Sequence, residues 1–129
     1  MPWSTEMQTN LKSDTPVLAV AHLRNVKMGA EIVEYLERID ATLEPYGGRF
    51  LVHGAAPEVL EGSWTGDLVI VSFPDRQKAL AWYRSPAYQE ILPLRTRNTE
   101  GDVVLVDTVS SDHRATHILP RASARARPG

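Results

Sequence analysis

The chain has no cysteine. Disulfides, thiolate metal sites and a cysteine nucleophile are therefore excluded. No stretch approaches the roughly 18 apolar residues of a membrane-spanning helix. The opening, MPWSTEMQTNLKSDTP, lacks the basic and apolar regions of a secretory signal. These absences lead to the expectation of a cytoplasmic protein without a membrane partner. Charge of one sign is also missing: 14 Lys and Arg against 16 Asp and Glu leave a formal −2. Such a balance offers nothing to attract nucleic acid, which is not expected as a partner. GxSxG, HExxH, a P-loop and a GxGxxG at a strand–helix junction are all absent. No covalent nucleophile stands out, and no cofactor is expected. His113 and His117 stand four apart, as a helical metal pair would, but without an intervening glutamate, so no metal site is expected.

What is present is ordinary for a globular chain: 43% hydrophobic and 23% charged residues over 129 positions. That length suggests one domain with two arms. Residues 1–15 read as a polar N-terminal arm, 16–109 as the folded domain and 110–129 as a C-terminal arm. The last carries four arginines against one aspartate, a local charge of +3.

Within the domain, PVLAVAHL (16–23) has the length and apolarity of a strand. In the next segment Ile32, Leu36, Ile39, Leu43 and Tyr46 recur at helical spacing. Pro45 removes a hydrogen bond from its last turn, and Gly47 or Gly48 offers a left-handed stop. RFLVHG is a second strand and DLVIVSF (67–73) a third. Asp75 can cap a helix running to about Arg84. Ser85 and Pro86 then restart it as cap and first-turn residue. DVVLVDTV (102–109) is the fourth strand. The order βαββαβ predicts an α+β, ferredoxin-like sandwich with a four-stranded antiparallel sheet and both helices on one face.

Period-two alternation sorts the strand residues into two faces. Val17, Ala19, Ala21 and Leu23 oppose Leu18, Val20 and His22; Val69, Val71 and Phe73 oppose Leu68 and Ile70; Val103 and Leu105 oppose Val104 and Val106. Both faces are apolar, yet the helices cover one. Strands apolar on both sides are usually covered on both. A second copy packing sheet to sheet into an α/β barrel is the economical cover, so a homodimer is expected.

The segments YGGRFLVHG, EVLEG-W, ALAWYRSPAYQEILPLR and GDVVLV resemble, in order and spacing, the domain-of-unknown-function 1330 family. The resemblance spans about Val17 to Val109. It implies a dimeric α/β barrel of ferredoxin-like subunits, and it implies no particular reaction. Where the family often has arginine before the glycine, this chain has His53. RNVKMGAEIVEY also departs from the usual family stretch.

Candidate site residues follow from position. Arg49 and His53 share a face with Leu51 by simple alternation, either as the wet side of an edge strand or as contacts to an anion between the sheets. His22 lies on a central strand, as a satisfied core histidine or a general base. The catalytic candidates are thus His22 and His53. Glu61 in the loop before the third strand, Tyr88 at the start of the last helical segment and Arg95 after ILPL are candidate substrate contacts beside Arg49. Arg95 could pair with Glu61 or with a ligand acid. The functional expectation is a small acidic or aromatic metabolite held between sheet and partner, with cofactor-independent acid–base chemistry as one reading and a non-catalytic binding or assembly module as the other.

Overall fold

A computed structural model of the chain describes residues 15–119. The strands are β1 (Val17–Arg24), β2 (Arg49–Val52), β3 (Asp67–Phe73) and β4 (Glu100–Asp107). Three α-helices accompany them: α1 (Ala30–Leu43), α2 (Arg76–Arg84) and α3 (Pro86–Thr96). Short 3-10 turns follow α1 at Glu44–Tyr46 and β4 at Ala115–Ile118. The sheet is antiparallel in the order β2-β3-β1-β4. This is the ferredoxin-like arrangement expected from the element order.

Local chemistry explains most boundaries. The Asp75 carboxylate accepts from the Lys78 amide at 2.8 Å and starts α2. Ser85 ends α2 and begins α3: its hydroxyl donates to the Trp82 carbonyl at 2.7 Å and accepts from the Tyr88 amide at 3.2 Å. The last helical stretch is therefore two helices meeting at one residue. Pro86 occupies the first turn of α3, where its missing N–H costs nothing. Past α1, Pro45 lies in the 3-10 turn and Gly47 takes φ 72°, which glycine adopts without strain. Gly48 is needed for a different reason. A Cβ there would lie 2.7 Å from the Phe73 ring and 2.8 Å from Leu43.

The registers confirm the two-faced reading. Val17, Ala19 and Ala21 pair with Phe73, Val71 and Val69 on one face. Leu18 and Val20 pair with Ser72 and Ile70 on the other, and with Val106 and Val104 across β4. The helices cover the first face. There Val17, Ile39, Leu43, Phe73, Ala79, Trp82, Tyr88 and Ile91 form a buried core. Trp82 is tied into it by its indole N–H, which donates to the Thr42 hydroxyl at 2.9 Å. On the uncovered face Val104 and Val106 stay 51% and 42% exposed.

Two expectations shift. α1 buries Ile32, Tyr35, Ile39, Thr42 and Leu43, while Leu36 is exposed. The space in front of Leu36 is a cavity and not packed core. β2 carries an irregularity between Phe50 and Val52: Arg49 pairs with Ser72 and Phe50 with Val71, but Val52 pairs with Ile70. Leu51 is the extra residue, and an extra residue reverses the alternation beyond it.

Candidate functional site

The bulge decides where His53 goes. Paired residues share a face, so Arg49 belongs with Ser72 on the open side and Phe50 with Val71 on the helix side. Simple alternation from Arg49 would place His53 on the open side too. With Leu51 inserted, His53 returns to the helix side, where its ring stacks on Phe50 with centroids 4.4 Å apart. Arg49 and His53 therefore do not share a face, contrary to the alternation rule.

His53 arrives at the edge of a cavity of about 380 Å³ between α1 and the sheet. This is within the range of about 300–1,000 Å³ usual for small-molecule sites. The floor is β1, which contributes Ala19, Ala21 and Leu23. β3 adds Val69 and Val71, and β4 adds Val103. α1 forms the opposite wall with Ile32, Tyr35, Leu36 and Ile39. The cavity exists because β1 presents alanines where its neighbours present larger side chains. Ala19 lies between Val71 and Leu105, and Ala21 between Val69 and Val103.

The polar part of this lining is concentrated. Tyr35 and Tyr88 are buried, and their hydroxyls lie 2.7 Å apart in a hydrogen bond. One of the two donates to the other, leaving the acceptor's own hydrogen free to donate elsewhere. Arg95, on α3, lies with its guanidinium 5.9 Å from the Tyr35 ring centroid and is 9% exposed. Among the described residues it has no carboxylate partner. Burial acts to lower its pKa, but the Tyr88 and Tyr35 hydroxyls outweigh that, and the guanidinium stays charged. Burial and then the neighbouring Tyr88 push the Tyr35 phenol far above its ordinary value, with Arg95 opposing. Tyr35 is thus a neutral hydroxyl through the physiological range. Buried charges are normally paired. A charged guanidinium without a carboxylate among the described residues, beside an available hydroxyl donor, has the chemistry to accept an oxyanion.

The remaining candidates fall elsewhere. His22 is on the open face of β1, stacked on Trp64 at 4.3 Å. Its Nε2 donates to the Thr65 carbonyl at 2.6 Å, and its Nδ1 accepts from Arg24 at 3.3 Å. Both ring nitrogens are thereby engaged, and the Nε2 bond ties the β2–β3 loop to the sheet. Gly66 lets that loop close on β1: φ is 93°, and a Cβ would lie 2.3 Å from the Leu23 carbonyl oxygen. Arg49 is exposed on β2, and Glu61 is exposed in the loop. Arg95 and Glu61 make no ion pair. Of the six candidates, the cavity brings together His53, Tyr88 and Arg95 and leaves out His22, Arg49 and Glu61. Tyr35 was missed. Its signal was available: it stands three after Ile32 and four before Ile39, on the same helical stripe. His113 and His117 have ring centroids 5.1 Å apart, and His117 Nδ1 accepts from the Arg114 amide. No group of three or more metal-ligating side chains occurs among the described residues. Nor, among them, is any helix long and apolar enough to cross a membrane. Residues 120–129 of the expected C-terminal arm and 1–14 of the N-terminal arm lie outside the described residues.

Comparison with known proteins agrees with the fold. The family described as a domain of unknown function (DUF1330) matches residues 16–109. No curated protein matches the chain at a significant level. Among solved structures, the RPA0582 protein of Rhodopseudomonas palustris, described as of unknown function, aligns with a TM-score of 0.59 and 15% identity, covering 81% of this chain and 93% of that one. Its methylated form aligns at 0.60 and 16%, covering 84% and 93%. SnoaB of Streptomyces nogalater, described as a cofactor-independent oxygenase, aligns at 0.52 and 14%, covering 78% and 99%. At these identities the likeness is one of fold.

Proposed function

The chain belongs to the DUF1330 family, and from that premise we propose that it binds a small organic acid in the cavity between α1 and the sheet. One observation carries this reading: Arg95 is a buried, charged guanidinium with no carboxylate among the described residues, lining an otherwise largely apolar space. The acid head group takes the place of the missing counter-ion and accepts from Arg95 and from the free hydroxyl of the Tyr35–Tyr88 pair. This moves the site from the expected chamber between subunits to the helix side of the sheet. The homodimer is kept as part of the proposal, supported by the apolar residues Leu18, Val20, Ile70, Val104 and Val106 on the uncovered face.

His53, the histidine among the lining residues, is the candidate for any proton transfer in this cavity, with Asp67 the carboxylate that also lines it. His22 and Arg49 are assigned to the open face instead. The fold can host chemistry without a cofactor, as SnoaB's description states for that protein. Fold is no guide to activity, however, and binding is the function proposed.

Thermal melting of the purified full chain with sodium carboxylates and with the matching neutral amides tests the reading. An acid at a hundredfold excess over its Kd stabilises by about 2.7 kcal/mol, a shift of several degrees. The shift is expected with acids, not amides, and is expected to vanish in Arg95→Met. Equal shifts with amides, or an undiminished shift in Arg95→Met, would overturn it.

A further inference from the structure

We infer that the acid is an aryl carboxylate, its ring lying flat on the Ala19–Ala21 floor, with Ala21 setting which rings fit. This rests on the organic-acid reading above and adds the shape of the ligand body.

Two independent features of the cavity carry it. The first is the lining. Tyr35, Phe50, His53, Trp82 and Tyr88 all contribute to the wall. Aromatic side chains favour offset-stacked and edge-on partners, so a wall this rich in rings selects a ring. A saturated body of equal carbon count gains the same apolar burial but not these contacts. The second feature is the floor. Ala19 and Ala21 form a shallow trough along the central strand, flanked by Val71 and Val69 on one side and Leu105 and Val103 on the other. Each flanking side chain is longer or broader than the alanine methyl it adjoins. The result is a slot with side walls on both neighbouring strands and α1 as its roof.

The charged groups give the ligand a direction. Arg95 comes from α3, whose chain runs on into β4, one edge of the sheet. His53 follows β2, the opposite edge. Asp67 also lines the cavity and is exposed. A carboxylate is repelled by Asp67 and attracted by Arg95, so the acid faces Arg95 and the ring extends towards Phe50 and His53. At position 21 a valine would add two methyl groups to the floor, where the body of the ring lies.

Calorimetric titration of the purified full chain decides it. Benzoate, cyclohexanecarboxylate and heptanoate share carbon count and acid group but differ in shape; 2-naphthoate tests the length of the slot. Benzoate is expected to bind at least about tenfold tighter than either saturated acid. Ala21→Val is expected to weaken 2-naphthoate by about tenfold or more and benzoate by less. If all the acids bind wild-type protein with similar affinity, the inference is overturned and the organic-acid reading stands. If no acid binds, aryl or saturated, that reading falls and takes the inference with it. The wild-type panel alone is decisive should the variant fold poorly.

Discussion

Arg95 is 9% exposed and, among the described residues, has no carboxylate partner, so its burial carries a desolvation cost that the Tyr88 and Tyr35 hydroxyls offset. The cation–π contact with Tyr35 offsets about 0.5–2 kcal/mol of that. Arg95→Met is therefore expected to melt within about 1 kcal/mol of wild type while losing acid binding. A larger fall in melting temperature would mean that Arg95 has a structural task. The tyrosine pair behaves differently. Tyr35→Phe or Tyr88→Phe alone leaves the other buried hydroxyl without its partner, at about 1–3 kcal/mol. The double variant leaves neither, so urea denaturation is expected to show a loss smaller than the sum of the singles. Additive losses would contradict the 2.7 Å bond between them. At this scale the sequence was half legible. Tyr88 and Arg95 could be singled out from their neighbours along the chain. His53 was placed on the wrong face because one inserted residue, Leu51, reverses a period of two, and nothing local in RFLVHG announces it.

Elements were easier to read because their signals are local. Asp75, Ser85 and Pro86 mark helix starts by the groups they offer or lack, and the structure uses each in that way. The stripe on α1 was right in period and off in centre: Tyr35 and Thr42 are buried and Leu36 is not. A stripe shows that a face is covered, but not whether core or cavity lies under each residue. Between elements, Glu31 near the start of α1 accepts from Arg97 at 2.6 Å and from Asn98 at 2.9 Å just past α3. These bonds, Arg97 foremost and then Asn98, hold the Glu31 carboxyl below its ordinary value. A carboxylate whose folded pKa lies below its unfolded one contributes stability above the unfolded value and loses it as pH falls through the folded value. Glu31→Gln is therefore expected to lower the melting temperature at neutral pH. The difference from wild type should disappear at pH values below the usual carboxylate range. A difference that persists unchanged in acid would assign Glu31 a role other than this ionic tie.

For the whole molecule, the sheet's two apolar faces were visible in the alternation of β1, β3 and β4, and the registers agree. The location of the cavity was not visible. It depends on alanines in β1 meeting larger residues across both ladders, which requires the register of strands far apart in sequence. On the open face, Val104→Lys places a charge where the proposed partner sheet would lie. Sedimentation is expected to show a dimer for wild type and a monomer for the variant. A wild-type monomer at micromolar concentration would remove the dimer and leave the cavity, which lies on the other side of the sheet, untouched. The most direct test of the central claim is a crystal structure of the protein grown with 4-bromobenzoate, with the halogen located by its anomalous signal. The account predicts a bromine peak between α1 and β1, with the carboxylate within hydrogen-bonding reach of Arg95 and the Tyr35–Tyr88 hydroxyls. Bromine on the open face of the sheet, or an α1–β1 cavity that stays empty at saturating ligand, would contradict it.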